Sequence, residues 1–245
     1  MQALKIIGMI PARYQSSRFP GKPLADLNGQ PVIQHVCQRA AKAQSLDRVV
    51  VATDDERIRK VVASFGGEVV MTSSEHPTGT DRIAEAARQL SADVIVNIQG
   101  DEPLLDPVMI EQVLVPFLKD SSVQVATLIS PLKEIAEILD ANTVKVVLDL
   151  EGNILFFSRA TIPYPKERQG HRVFKQIGLY AFRRAALEEF SRWGSSSLET
   201  IEGVELMRFL EHGWKVRAVE TQCRTVAVDT PGDLERARSL LQKGT

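Results

Sequence analysis

Over its first half the chain alternates five short apolar runs, residues 5–10, 48–52, 68–71, 94–98 and 123–129, with longer amphipathic stretches. Strands buried on both faces read as continuous apolar runs, and helices that cover a sheet read as amphipathic. The alternation therefore predicts a mainly parallel sheet whose strands are joined by crossover helices. Between the first two runs, Val32, Ile33, Val36, Cys37, Ala40 and Ala41 recur at helical spacing. That spacing lays one face of a helix on the sheet, with Pro31 suited to its first turn. At 245 residues and 44% apolar content, the chain can bury a sizeable core as one α/β domain, or as one domain with a lobe inserted.

From about residue 143 the texture changes. VKVVLD, a Gly-Asn turn at 152–153 and ILFFSR predict a β-hairpin that interrupts the strand–helix alternation. A proline-rich, charged loop (IPYPKERQG) follows, then a strand (KQIGLYAF), a helix beginning near Arg183 and a long helix over about 198–211. Strands near 216–221 and 226–228 lead to a last helix opened by Asp229-Thr-Pro. With no repeat, low-complexity tract or linker, the expected organisation is a single domain. It comprises a strand–helix half (1–130), an inserted hairpin lobe (about 143–182) and a return to the main sheet (183–245).

Charge excludes several functions. Lysine plus arginine (30) nearly cancel aspartate plus glutamate (31), so no polybasic field argues for nucleic acid or an anionic membrane. Any anionic ligand must meet local cations. Cys37 and Cys223 form neither a disulfide framework nor a metal spacing, which fits a reducing cytoplasm. The first strand is too short to cross a bilayer, so the expectation is a soluble, cytoplasmic protein. His35, His76, His171 and His212 have no ligand spacing, and Ser195, Ser196 and Ser197 have no histidine motif beside them.

Chemistry gathers in a few segments. IPARYQSSRFPGKPL (10–24) places Arg13, Arg18 and Lys22 with Ser16, Ser17 and Gly21 directly after the first strand, at the carboxyl edge where ligands of open α/β sheets sit. A triphosphate needs such a cluster, because several negative charges must be paired and a leaving pyrophosphate stabilised. Alone, the loop also reads as a solvated basic segment. It has the glycine spacing of neither a Walker A loop nor a dinucleotide fingerprint. In NIQGDEPL (97–104), Asp101 follows an apolar strand and a glycine, so it serves either as a ligand for a hard cation or as a turn cap before Pro103. Asp229 opens a helix and is also free to act as a second carboxylate. Asp233 reads as support for the start of that last helix. PTGTDR (77–82) reads as a turn and a helix start, with Thr78 or Thr80 as cap, and as a loop able to read the edge of a cytosine. Thr53-Asp54-Asp55 has the wrong spacing for a D-x-D metal site and reads as a helix cap.

The loop at 10–24, PTGTDR, NIQGDEPL, FFSRATIPYP (156–165) and VDTPGDLERAR (228–238) occur in this order over almost the whole chain. Together they resemble the 3-deoxy-manno-octulosonate (KDO) cytidylyltransferases. The resemblance implies an α/β fold with a mostly parallel Rossmann-like sheet, of the nucleotide-diphospho-sugar transferase type, with an inserted β-hairpin lobe. It implies a nucleotidyltransferase that joins CTP and KDO to give CMP-KDO and pyrophosphate, for lipopolysaccharide biosynthesis. By the same resemblance, Ala12, Arg13, Ser17, Arg18, Lys22, Gly79, Thr80, Arg82 and Asp101 bind the nucleotide. Gln99, Arg159, Gln176, Tyr180 and Glu205 bind the sugar acid. Asp101 and Asp229 hold Mg2+, and catalysis falls to Arg13, Lys22, Asp101 and Asp229. Arg159 is the expected carboxylate partner, since a guanidinium grips a carboxylate bidentately. The hairpin and the Phe156-Phe157 strand are the expected two-fold interface of a homodimer.

The chain departs from the family pattern at two places. Gln176 stands where the family usually has histidine in K-H-I-G-x-Y, and Leu206 where it usually has glutamine in L-E-Q-L-R. A glutamine hydrogen-bonds a hydroxyl but does not titrate near neutral pH. Both positions lie in segments tied to the sugar, which keeps open a different acid, such as an amino-substituted KDO analogue or a nonulosonate. A non-catalytic nucleotide-binding regulator would lack a metal carboxylate or a triphosphate cation, and this chain keeps them all.

Overall fold

The computed structural model describes residues 4–16, 18–166 and 172–243. The first elements are β1 (Ile6–Ala12), the short strands β2 (Asp26–Leu27) and β3 (Gln30–Pro31), α1 (Val32–Ala40), β4 (Arg48–Thr53), α2 (Glu56–Ser64), β5 (Glu68–Met71), α3 (Gly79–Arg88), β6 (Val94–Asn97) and α4 (Pro107–Lys119). Next come β7 (Val125–Leu132), α5 (Ile135–Leu139), β8 (Lys145–Leu148), β9 (Ile154–Ser158) and β10 (Val173–Arg183). The chain closes with α6 (Arg184–Trp193), α7 (Ser197–Glu202), α8 (Met207–Glu211), β11 (Arg217–Glu220) and α9 (Pro231–Lys243). It divides into two compact units, Met1–Glu111 with Arg224–Thr245, and Gln112–Cys223.

In the first unit β1 pairs in parallel with β4 on one side and β6 on the other, and β4 pairs in parallel with β5. The apolar runs become β1, β4 and β6 because both faces are covered: Ile7, Met9, Ile10, Val50, Val51, Val94, Ile95 and Val96 are all buried, whereas β5 at the edge is only partly covered. Helix α1 buries Val32, Ile33, Val36, Cys37 and Ala40, the face expected from their spacing. Burial pushes the Cys37 thiol up to about 12, so it behaves as a small hydrophobe. Asp55 caps α2 by accepting from the Arg57 amide at 2.8 Å, and Thr78 caps α3 by accepting from the Asp81 amide at 3.0 Å. Helix α9 is docked through Leu234 and Ala237 on Leu27, Val32 and Val228. Burying each of the larger side chains is worth about 1.5–3 kcal/mol, enough to fix where α9 begins and so where Asp229 stands.

In the second unit β7 and β10 are antiparallel, β10 pairs antiparallel with β8, β8 with β9, and β11 runs parallel to β7. The expected hairpin is β8–β9, with Lys145 opposite Ser158 and Leu148 opposite Ile154. Its core is aromatic: Phe209 lies 5.3 Å from Phe190 and 5.7 Å from both Phe182 and Trp193, ring centre to ring centre. Phe157 is fully buried and Phe156 only in part, as alternation across a strand requires.

Two expectations about elements are corrected. The helix over 198–211 is two helices, α7 and α8. Gly203 closes α7 in the left-handed conformation, with φ 62°, and an α-helix does not continue through that geometry. Residues 226–228 form no strand; the Val228 amide donates to the Asp101 carbonyl (2.8 Å). No helix among the described residues is long and apolar enough to cross a membrane.

Candidate active site

The loop after β1 is shaped by Gly21. Its φ of 75° is left-handed, and a Cβ there would stand 3.0 Å from the Tyr14 ring. The Gly21 amide donates to the Tyr14 carbonyl at 2.8 Å, and the Arg57 guanidinium of α2 stacks on the Tyr14 ring, 3.3 Å from its centre. Only glycine fits this position, and the turn delivers Lys22 inward.

Lys22 Nζ donates to Asp101 Oδ2 at 2.5 Å and to Asp229 Oδ1 at 3.1 Å. Arg18 reaches Asp229 Oδ1 at 3.1 Å. Two carboxylates that lie 79 and 207 positions from the lysine in sequence thus meet at one ammonium. Several contacts place the two carboxylates. The Val228 amide binds the Asp101 carbonyl, Arg39 donates to the Leu105 carbonyl (3.3 Å), and Asp233 Oδ2 accepts from the Asp229 and Thr230 amides (3.2 and 2.9 Å). Asp233 therefore supports the start of the last helix as expected. Glu102 is 7% exposed; burial, then the charge of Asp101, raises its pKa to about 8, against a hydrogen bond with Thr225.

Ala12 is buried at the end of β1, and Arg13 beside it is exposed. Arg13 has no ion-pair partner among the described residues. Ser17 lies outside the described residues, as does His171.

The PTGTDR segment is placed differently from an open loop. Gly79 is half-buried at the first position of α3. Thr80 is fully buried, its hydroxyl accepting from Asn97 Nδ2 at 3.1 Å, and Gln99 Nε2 donates to Asn97 Oδ1 at 3.5 Å. Arg82 is 4% exposed and donates to Thr72 Oγ1 (2.7 Å) and the Ser73 carbonyl (3.2 Å), with Asp54 Oδ1 at 3.2 Å. Burial lowers its pKa, Asp54 works against this, and the Arg13 charge adds to the lowering.

The second unit carries Arg159, Gln176, Tyr180 and Glu205. Arg159 donates from Nε to the Glu202 carbonyl (2.6 Å) and from Nη1 to that of Ala141 (3.0 Å), while its amide donates to Glu202 Oε2 (2.8 Å). Its guanidinium is thus held by carbonyls and forms no ion pair with a carboxylate side chain among the described residues. The fully buried Lys145 donates to the Arg159 carbonyl (2.6 Å) and to those of Asp140 and Thr143. Gln176 is half-buried, and its Nε2 is buried with no acceptor among the described residues. Tyr180 sets its ring edge-on to Phe182 at 6.3 Å, and Glu205 is half-buried between α7 and α8. Leu206 is fully buried, so the apolar residue at that position belongs to the core.

Reading the residues did not single out Tyr14, Lys145 or Glu202, whose work is to hold the groups that it did. Only their contacts reveal them; Tyr14 alone carried a local signal, an aromatic inside a loop of cations and glycine.

Against known proteins, residues 7–220 match the family described as Cytidylyltransferase. A 3-deoxy-manno-octulosonate cytidylyltransferase of Geobacter metallireducens is 45% identical over 98% of this chain and 99% of its own length. One of Syntrophotalea carbinolica is 48% identical over 98% and 99%. A solved CMP:2-keto-3-deoxy-manno-octonic acid synthetase complexed with CTP superposes with a TM-score of 0.94 at 41% identity, covering 98% of this chain and all of that one.

Proposed function

The chain belongs to the cytidylyltransferase family, among the 3-deoxy-manno-octulosonate cytidylyltransferases, and on that premise we propose that it joins CTP and KDO to give CMP-KDO and pyrophosphate. The observation that carries this reading is the convergence of Asp101 and Asp229 on Lys22, in the loop whose Arg13 is exposed and has no ion-pair partner among the described residues.

Arg13, Arg18 and Lys22 pair the triphosphate and, with Ser17 and the backbone around Ala12, hold its leaving half. The turn at Gly79 reads the cytosine, braced from below by Thr80 on Asn97 and by Arg82 on Ser73. The anomeric hydroxyl of the sugar acid attacks the α-phosphorus in line, the bond to the bridging oxygen breaks and pyrophosphate leaves with the electron pair. No covalent enzyme intermediate is needed.

Asp101 and Asp229 suit Mg2+. They offer a hard, all-oxygen pair that already gathers about one cationic centre, and this ion needs only one or two carboxylates because it keeps its waters. When bound, Mg2+ supplies Lewis-acid stabilisation at the α-phosphate and lowers the pKa of the attacking hydroxyl.

For the sugar acid, Arg159 turns toward the carboxylate, and Gln99, Gln176, Tyr180 and Glu205 toward hydroxyls. The buried, unaccepted Nε2 of Gln176 supports this, since a substrate hydroxyl would satisfy it. Lys145 and Glu202 position Arg159. Exposed Leu155 on β9 and Ile135 and Leu139 on α5 support a homodimer through the second unit, which light scattering tests. The product would feed lipopolysaccharide synthesis in the cytoplasm. Incubating the protein with CTP, KDO and Mg2+ and following phosphorus NMR tests the reaction: a phosphodiester-linked CMP sugar and free pyrophosphate are expected, and unchanged CTP would reject it.

A further inference from the structure

Lys22 lies between the two acids to which the proposed function assigns a divalent cation. Its ammonium bridges Asp101 Oδ2 and Asp229 Oδ1 at 2.5 and 3.1 Å. The lysine is not what brings the carboxylates together. That is done by the Val228 amide on the Asp101 carbonyl, by Asp233 on the Asp229 and Thr230 amides, and by the apolar seat of α9. The pair is therefore preformed by the backbone, and its like charges require a cation between them. Locally, two carboxylates balance Lys22 and Arg18. A divalent ion entering that cluster would meet an ammonium and a guanidinium and leave them without counter-charge. A lysine on a flexible four-carbon stem can be drawn away to a stronger anion.

We infer that Lys22 is the resident counter-ion of the metal site: in the nucleotide-free protein its ammonium keeps the divalent ion out, and a triphosphate opens the site by drawing Lys22 onto its own oxygens. Metal and nucleotide are then coupled through one side chain, and the coupling is reciprocal. The inference rests on the reading of Asp101 and Asp229 as metal carboxylates.

The test is Mn2+ binding to nucleotide-free, full-length protein, followed by the electron paramagnetic resonance signal of the free ion. Lys22→Met and Lys22→Gln are expected to bind Mn2+ at least about tenfold more tightly than the wild type, since an opposing charge at close range is removed. Lys22→Arg, which keeps the charge, should show no gain, and Lys22→Met with Asp229→Asn should lose it. Thermal midpoints give an independent arm. Lys22→Met leaves two carboxylates facing each other, so Mn2+ should raise its midpoint more than that of the wild type. Equal or weaker Mn2+ binding by Lys22→Met and Lys22→Gln, or no extra thermal protection, overturns the inference. If Asp101→Asn and Asp229→Asn also leave Mn2+ binding in the presence of CTP unchanged, it is the metal reading itself that fails.

Discussion

The amide of Val228 donates to the carbonyl of Asp101 at 2.8 Å, so the residue before Asp229 is tied by backbone to the other carboxylate of the site. This bond sets the spacing of the two acids independently of their side chains. Replacing Asp229 with alanine leaves it in place. Turnover should fall on the order of a thousandfold or more, as when one main electrostatic stabiliser is removed, while the Kd for CTP measured by calorimetry changes little. Near-normal turnover would remove Asp229 from the mechanism.

Gly21→Ala should raise the KM for CTP. The substitution forces a left-handed φ on alanine, at about 1–2 kcal/mol, and drives its Cβ against the Tyr14 ring, displacing the turn that carries Lys22. Steady-state kinetics at varied CTP should show the loss in KM before any loss in the KM for the sugar acid.

Gln176→Leu separates the two substrates. It removes a buried donor that has no acceptor among the described residues, so the ligand-free protein should keep or gain thermal stability. The KM for the sugar acid should rise by about tenfold, the weight of one hydrogen bond to a buried group, with the KM for CTP unchanged. A fall in stability, or equal effects on both KM values, would place Gln176 outside the sugar site.

Arg208 is fully buried with Glu199, bonded through Nε and Nη2 at 2.7 Å each, and lies 3.6 Å over the Phe190 ring. Glu199→Gln leaves that charge uncompensated and should cost about 3–5 kcal/mol in denaturant unfolding. Glu205 sits in the turn this pair clamps, so activity should fall with it.

The β8–β9 turn should set part of the acid limit of stability. Asp149 accepts from the Asn153 side chain and from the Asn153 and Glu151 amides, and these bonds hold its carboxyl below the usual range. With its folded pKa depressed, Asp149 contributes stability that is present above the ordinary carboxylate pKa of about 4 and is lost as pH falls through the lower folded value. Asp149→Asn should therefore flatten the acid limb of an unfolding-against-pH curve, leaving stability near neutrality set by other groups.

What was legible in the sequence was local. Continuous apolar runs announced β1, β4, β5 and β6, helical spacing announced the buried face of α1, and caps were recognisable in Thr53-Asp54-Asp55 and in Thr78 or Thr80, of which Asp55 and Thr78 do the capping. The five ordered motifs carried the family. What was not legible depends on contacts distant in sequence. Nothing local in Lys22 says that its ammonium lies between two aspartates rather than in solvent. Thr80 and Arg82 read as part of a helix start and, by resemblance, as nucleotide contacts; their burial against Asn97, Thr72 and Asp54 carried no local signal. Gly203 breaks a helix whose pattern continues on both sides, because a left-handed residue overrides periodicity. Leu206 read as a lost polar contact, and its full burial shows a core position instead.

The central claim is most directly tested by pyrophosphate release with each of the four nucleoside triphosphates crossed against KDO, its amino-substituted analogue and a nonulosonate. The convergence of Asp101 and Asp229 on Lys22, in a chain that carries the KDO family's motifs, predicts fast release for CTP with KDO, and little for the other nucleotides or acids. Release that ignores the nucleotide, or that is fastest with an acid other than KDO, would contradict it.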